Sequence, residues 1–177
     1  MKRRWSIFTL VLAGVTLAVL LLSVPGSLRE ALHRGDFYVF SSAFFEDLPK
    51  RLTGPGRFRF ILQPLIAVIL GIRSGIADAR MGRPAYLFGL LFDRKLRPEL
   101  LKSGFSTIVN LLLMGILLDS IAQWLILGAS YPGAALVVGP VLVAAPYSLA
   151  RAVANRCARL RNKQGESQDI GTLPKLR

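Results

Sequence analysis

The run from Trp5 to Val24 holds twenty residues and not one charge. A hydrocarbon core of about 30 Å needs about 20 apolar residues at about 1.5 Å of helical rise each. Inside lipid, a segment must satisfy its own backbone N–H and C=O groups, and a helix does this. Three further apolar runs follow, over residues 60–77, 105–127 and 134–150. The fold class this predicts is an all-α membrane protein with four transmembrane helices, over about 5–24, 60–77, 105–127 and 134–150, and both termini cytoplasmic. Residues 1–162 are read as a single four-helix transmembrane domain. Residues 163–177, polar and Gly-containing, are read as a disordered cytoplasmic tail.

The charges between the runs set the expected orientation. Met1-Lys2-Arg3-Arg4 directly precedes the first run, and positive-inside bias places it in the cytoplasm. With four crossings, the cytoplasmic segments carry three, seven and seven Lys and Arg, and the external ones six and none. The run 60–77 is the weakest, since it contains Gln63, Pro64 and Arg73. If it did not cross, all but the first three basic residues would lie outside, so the charge pattern demands a crossing. Trp5–Val24 reads as an uncleaved anchor. It is longer than a signal core of about 7–15 residues, and the exit Ser23-Val24-Pro25-Gly26-Ser27 lacks an A-x-A site.

Residues 25–59 carry ten charged side chains and His33, and Phe37, Tyr38, Phe40, Phe44 and Phe45 crowd the middle. Such aromatics suit a segment lying on the headgroups. Packing against the top of the bundle is the equal alternative. Residues 78–104 are expected in the cytoplasm, with Tyr86–Phe92 too short to span and Pro98 suited to the first turn of a helix. Gly128–Gly133 is an uncharged six-residue turn, so the third and fourth spans form a tight antiparallel hairpin. Pro140 and Pro146 lie inside the fourth.

With 23 Lys and Arg against 10 Asp and Glu, a soluble protein would be suspected of binding nucleic acid. Here the basic residues cluster at the ends of apolar runs, and no basic stripe is interleaved with aromatics. The expected partners are the bilayer with its anionic headgroups and a partner membrane protein or a second copy of the chain, not nucleic acid. One cysteine, Cys157, and one histidine, His33, leave no intramolecular disulfide, cysteine-based metal cluster or two-His zinc motif. No metal or cofactor is expected. Cys157 could be acylated but reads more simply as a small residue, and His33 as an exposed loop residue.

Asp119 is the residue most out of place. An aspartate near a helix centre costs about 2.5–3.5 kcal/mol on insertion scales. Gln123, four residues on, shares its face and can donate an amide hydrogen bond. Asn110 lies nine residues earlier, on the opposite face. These three form a candidate intramembrane polar network. Polar contact between helices is favoured for it over a transport or proton-relay role.

A second candidate is the cytoplasmic end of the second run, where Arg73, Asp78, Arg80 and Arg83 form a headgroup or ion-pair cluster. Gly71, Gly75 and Ala79 line one face at four-residue spacing, a surface for close helix packing. Asp78 sits beside that face and could meet an arginine of a neighbouring helix. Phosphate or headgroup binding is the functional reading; snorkelling arginines and local ion pairs are the simpler one, and it is preferred. The segment partly resembles the CDP-alcohol phosphotransferase signature D-x2-D-G-x2-A-R-x8-G-x3-D-x3-D. Ala79, Arg80, Gly89 and Asp93 match, but Ile72, Gly75 and Arg97 stand at the other aspartate positions. Three of four metal-binding carboxylates are missing, so Asp93 inherits no metal role. Arg151–Arg161 reads as a basic anchor on the cytoplasmic face.

Leu62-Gln63-Pro64-Leu65, Gly82-Arg83-Pro84-Ala85-Tyr86, Ala145-Pro146-Tyr147 and Asn155-Arg156 give residues 58–159 a general pattern. It resembles a group of small bacterial inner-membrane proteins. The resemblance implies a bacterial plasma-membrane location and carries no functional residues. The expected function is a non-enzymatic accessory, scaffold or assembly subunit. The alternative is a small homo-oligomeric transporter or channel that uses Asp119.

Overall fold

Ser6 opens the first helix with an extended backbone, and its hydroxyl accepts the Thr9 N–H at 3.1 Å. This satisfies one of the donors that a helix start leaves free. The computed structural model describes residues 6–171 except residue 55. Among the described residues the order is α1 (Ile7–Arg34), a 3-10 helix (Tyr38–Phe40), α2 (Ser42–Thr53), α3 (Arg59–Arg80), α4 (Tyr86–Phe92), α5 (Arg97–Leu127) and α6 (Pro132–Gly171), with no strand. Helices α1, α3, α5 and α6 are long and apolar enough to cross a membrane. The chain is thus all-helical, with the composition of a multi-pass membrane protein.

All four long helices outrun the spans expected from hydropathy. The expected 5–24 span continues through Pro25 to Arg34. Proline removes one helical hydrogen bond but need not end a helix whose neighbours carry it on. Leu28, Arg29, Glu30, Ala31 and Leu32 are all compatible with continuation. Gly35, at φ 80°, then closes α1 by donating its N–H to Ala31 O at 2.9 Å. The left-handed conformation of this cap suits a residue without Cβ. The expected spans 60–77, 105–127 and 134–150 lie within helices that start one, eight and two residues earlier; α3 and α6 also run on past their expected ends. Pro98 occupies the first turn of α5, as its sequence position predicts.

The tail expected to be disordered needs correction over residues 163–171, which continue α6. Extending a formed helix costs far less than nucleating one, and this stretch has no proline. Residues 172–177 and the basic residues before Trp5 lie outside the described residues. Pro140 and Pro146 sit within unbroken helix.

The contacts gather into two compact units: residues up to Ala67 with Thr107–Ala145, and Val68–Ser106 with the residues from Pro146 on. In the first unit, α5 and α6 form the expected hairpin. Gly128, at φ 70°, closes α5 onto Trp124 O. A Cβ added at Gly139 would lie 2.8 Å from Ile116 N, so these two helices meet backbone to backbone. The aromatic segment divides its labour. Tyr38 is buried, stacks on Tyr131 at 3.8 Å and packs with Phe44, while Phe37, Phe40 and Phe45 are exposed.

In the second unit, Gly71, Gly75 and Ala79 are buried as their spacing predicts. A Cβ at Gly71 would lie 2.5 Å from Tyr147 O, and one at Gly75 would collide with Arg151 O. The α3 backbone therefore rests on α6 along this stripe. Short α4 buries Tyr86 and Gly89 and leaves Phe88, Leu91 and Phe92 exposed.

Candidate functional site

Among the described side chains, each unit buries one aspartate. In the first, α5 holds Asp119 at 1% exposure. Arg59, the first residue of α3, brings Nη2 within 2.6 Å of Asp119 Oδ1. Arg51, from the last turn of α2, brings Nη1 within 3.5 Å of Oδ2 and is itself 0% exposed. Gln123 donates its amide to Asp119 Oδ2 at 2.5 Å and accepts the Tyr131 backbone N–H at 2.8 Å. The expected Asp119–Gln123 contact is present, and Gln123 also fastens the turn between α5 and α6.

Aromatic side chains complete this cluster. Arg51 donates to the Tyr38 hydroxyl, which donates onward to Asp47 at 2.8 Å. The Arg51 guanidinium also lies 5.6 Å from the Tyr38 ring and 5.5 Å from the Phe44 ring, within the range of cation–π attraction. Burial raises the Tyr38 phenol above its ordinary pKa, and the Arg51 hydrogen bond works against it. Tyr131 donates its hydroxyl to Glu30 at 2.7 Å. Arg59 donates to Leu118 O at 2.9 Å.

The polar demand of this cluster is not fully met. Arg51 Nε and Nη1, Arg59 Nε and Nη2, and Asp119 Oδ1 lack aligned hydrogen bonds. The 2.6 Å approach of Arg59 to Asp119 is therefore charge attraction without good hydrogen-bond geometry. Asn110, expected in the same network, stands apart, and its Oδ1 is buried without a partner. Gln63, 4% exposed, and the Ser120 hydroxyl are likewise unpartnered.

The second unit is better satisfied. Asp78 meets Arg151 in a two-pronged contact, Nε to Oδ2 at 2.6 Å and Nη2 to Oδ1 at 3.1 Å. Such forks are the strong form of the pair. Arg151 also donates to Tyr147 at 3.0 Å and Ser103 at 3.3 Å, and lies 4.3 Å from the Tyr86 ring. Tyr147 donates to Ser74 at 3.3 Å. Burial raises the Tyr86 phenol, with the Arg151 charge opposing. Neither Asp78 nor Arg151 has a buried polar atom left unpartnered.

Of the candidate residues Arg73, Asp78, Arg80 and Arg83, Asp78 and Arg83 lie together, and Asp78 meets an arginine of a neighbouring helix, as its place beside the glycine face suggests. Asp78 turns to the α6 arginine, while Arg73 and Arg80 are exposed. Arg83 remains near Asp78 at 3.9 Å and pairs with Glu99. Its backbone carbonyl accepts from Asn155 at 3.3 Å and from Arg159. The physical reason is helical phase: Arg73 lies on the face of α3 opposite the Gly71–Gly75 stripe on which α6 rests, and Arg80 lies off that stripe, beside α6. Asp93 accepts the backbone N–H groups of Lys95 and Leu96, which makes it a turn residue before α5.

No sequence motif singles out Arg51, Arg59, Arg151 or the tyrosines around them. The signal available was charge demand, because a buried carboxylate requires a cation. His33 and Cys157 are exposed. Among the described residues no three His, Cys, Asp or Glu side chains converge, and both clusters are ion pairs supported by tyrosines. No protein-family model, curated protein or solved structure matches this chain.

Proposed function

We propose that this protein is a non-enzymatic accessory, scaffold or assembly subunit of a bacterial inner membrane. The observation that supports this best is the use made of its buried acids. Asp119 is taken up by Arg59, Arg51 and Gln123, and Asp78 by Arg151. Carboxylates committed in this way hold helices together. In this reading both termini are cytoplasmic, on the strength of the basic residues flanking the spans. The partners are anionic headgroups and another membrane protein.

A homo-oligomeric transporter is the second reading. Its support is the set of unpartnered polar atoms on Gln63, Asn110 and Ser120, which water along a path would satisfy. Native mass spectrometry of the protein released gently from its own membrane separates the two. A partner polypeptide at fixed stoichiometry is the expected result. A pure homo-oligomer that moves ions in liposomes, and stops on Asp119→Asn while still assembling, would overturn the subunit reading.

A further inference from the structure

The second unit carries a long groove, about 1000 Å³ in volume, lined by α3 and α6. Ile72 and Ile76 form one wall and Leu149 and Val153 the other. The residues along α3 in the groove are Val68, Ile72, Ile76 and Arg80, four apart. That spacing keeps them on one face. The stripe along α6 likewise ends in polar residues, Arg161 and Asn162. The Gly71 and Gly75 contacts pair successive turns of α3 with successive turns of α6 in the same direction, so both arginines lie at the same end.

Three features say what fits. The walls are apolar. Val68 to Arg80 spans about 18 Å at a helical rise of about 1.5 Å, close to the depth of one leaflet, about 15 Å of a hydrocarbon core of about 30 Å. Finally, Arg80 and Arg161 are exposed, and among the described residues neither has a carboxylate partner. Arg151 and Arg83 in the same unit are both paired. An apolar trough one leaflet deep, ending in two guanidinium groups without a carboxylate partner among the described residues, complements an acyl chain joined to an anion.

We infer that this groove holds one anionic phospholipid, with an acyl chain along Ile72, Ile76, Leu149 and Val153 and the phosphate between Arg80 and Arg161. The inference rests on the membrane placement of the chain and is independent of the subunit reading, because its test involves no partner.

Cys157 supplies the reporter. It is the only cysteine of the chain, it is exposed, and it lines the groove. The full-length protein is placed in nanodiscs of phosphatidylcholine, with or without phosphatidylglycerol, and the rate of maleimide labelling at Cys157 is measured. Phosphatidylglycerol is expected to slow labelling by about fivefold or more, on the order of one basic contact at an anionic surface. The double variant Arg80→Gln/Arg161→Gln should lose that protection, while Arg73→Gln should keep it. Native mass spectrometry should show one fewer retained phosphatidylglycerol for the double variant. Equal protection in wild type and double variant would mean a general surface effect and overturn the inference. So would protection that needs no anionic lipid and grows with the number of protein copies per disc, which would place a second copy in the groove.

Discussion

Asp119 receives two fully buried guanidinium groups, whereas Asp78 receives one buried guanidinium in a fork and a second, partly exposed one, Arg83, at 3.9 Å. Around Asp78 every buried donor of Arg151 finds an acceptor, on Asp78, Tyr147 or Ser103. Around Asp119, two arginines and one aspartate leave several N–H groups without aligned acceptors. The origin of the cations accounts for part of this. Arg151 comes from the middle of a helix packed directly on α3, where glycines bring the backbones together. Arg51 and Arg59 come from the end of one helix and the start of the next, and they converge on Asp119 from a turn. A saturated pair locks two helices. An under-satisfied triad anchors the segment before α3 onto α5 and stays sensitive to any change of charge.

Removing either acid tests that contrast most strongly. Breaking a buried pair by deleting one partner costs about 3–5 kcal/mol, because the remaining charge stays buried and uncompensated. Asp119→Ala should fall at the upper end, since it strands two arginines. Asp78→Ala should fall at the lower end, since Tyr147 and Ser103 still hold Arg151. Denaturant unfolding of the purified variants in detergent reads both. Equal stabilities, or the reverse order, would break the comparison.

Gly75→Ala should come next, at about 1–3 kcal/mol by the same assay, because its methyl group would press on Arg151 O and Ala154 and separate α3 from α6. In the other unit, Gln123→Leu should also cost about 1–3 kcal/mol. It leaves the Tyr131 N–H and one Asp119 oxygen without their partner. Faster proteolysis at the turn between α5 and α6 would mark the loss of the Tyr131 contact specifically.

The smallest effect belongs to Asp47. Burial alone would raise its pKa, but hydrogen bonds from Lys50 and Tyr38 outweigh that and lower it below the ordinary carboxylate value. A depressed folded pKa contributes stability above the unfolded value, about 3.9. That contribution is lost as pH falls through the folded value. The Asp47 contacts should therefore be intact at neutral pH and fail only in acid. Asp47→Asn should flatten that part of the stability–pH curve, by less than about 1 kcal/mol for so exposed a lysine partner.

Much of this fold was legible in hydropathy and in small-residue spacing. Both are local properties of a helix: apolar length for the four long helices, and four-residue periodicity for Gly71, Gly75 and Ala79. The Asp119–Gln123 contact was legible for the same reason, as one turn separates them. Arg59 and Arg151, which decide what the two acids do, were not. They stand 60 and 73 residues from their partners, and in the sequence each is a flanking charge, because hydropathy ends a span where charge begins. Asn110 is the converse case. Its place on the far face of α5 suggested a second polar contact, but its carbonyl oxygen is buried alone. Helical phase says which way a side chain points and not what lies there.

The central claim is that Asp119 serves as a structural counter-ion. A double-mutant cycle with Asp119→Asn and Arg59→Gln, read by unfolding in detergent, tests it most directly. The claim predicts that the two changes are coupled by about 1–3 kcal/mol, with the double variant more stable than the sum of the single losses requires. Additivity within about 0.5 kcal/mol would contradict it and return Asp119 to the list of residues available for chemistry.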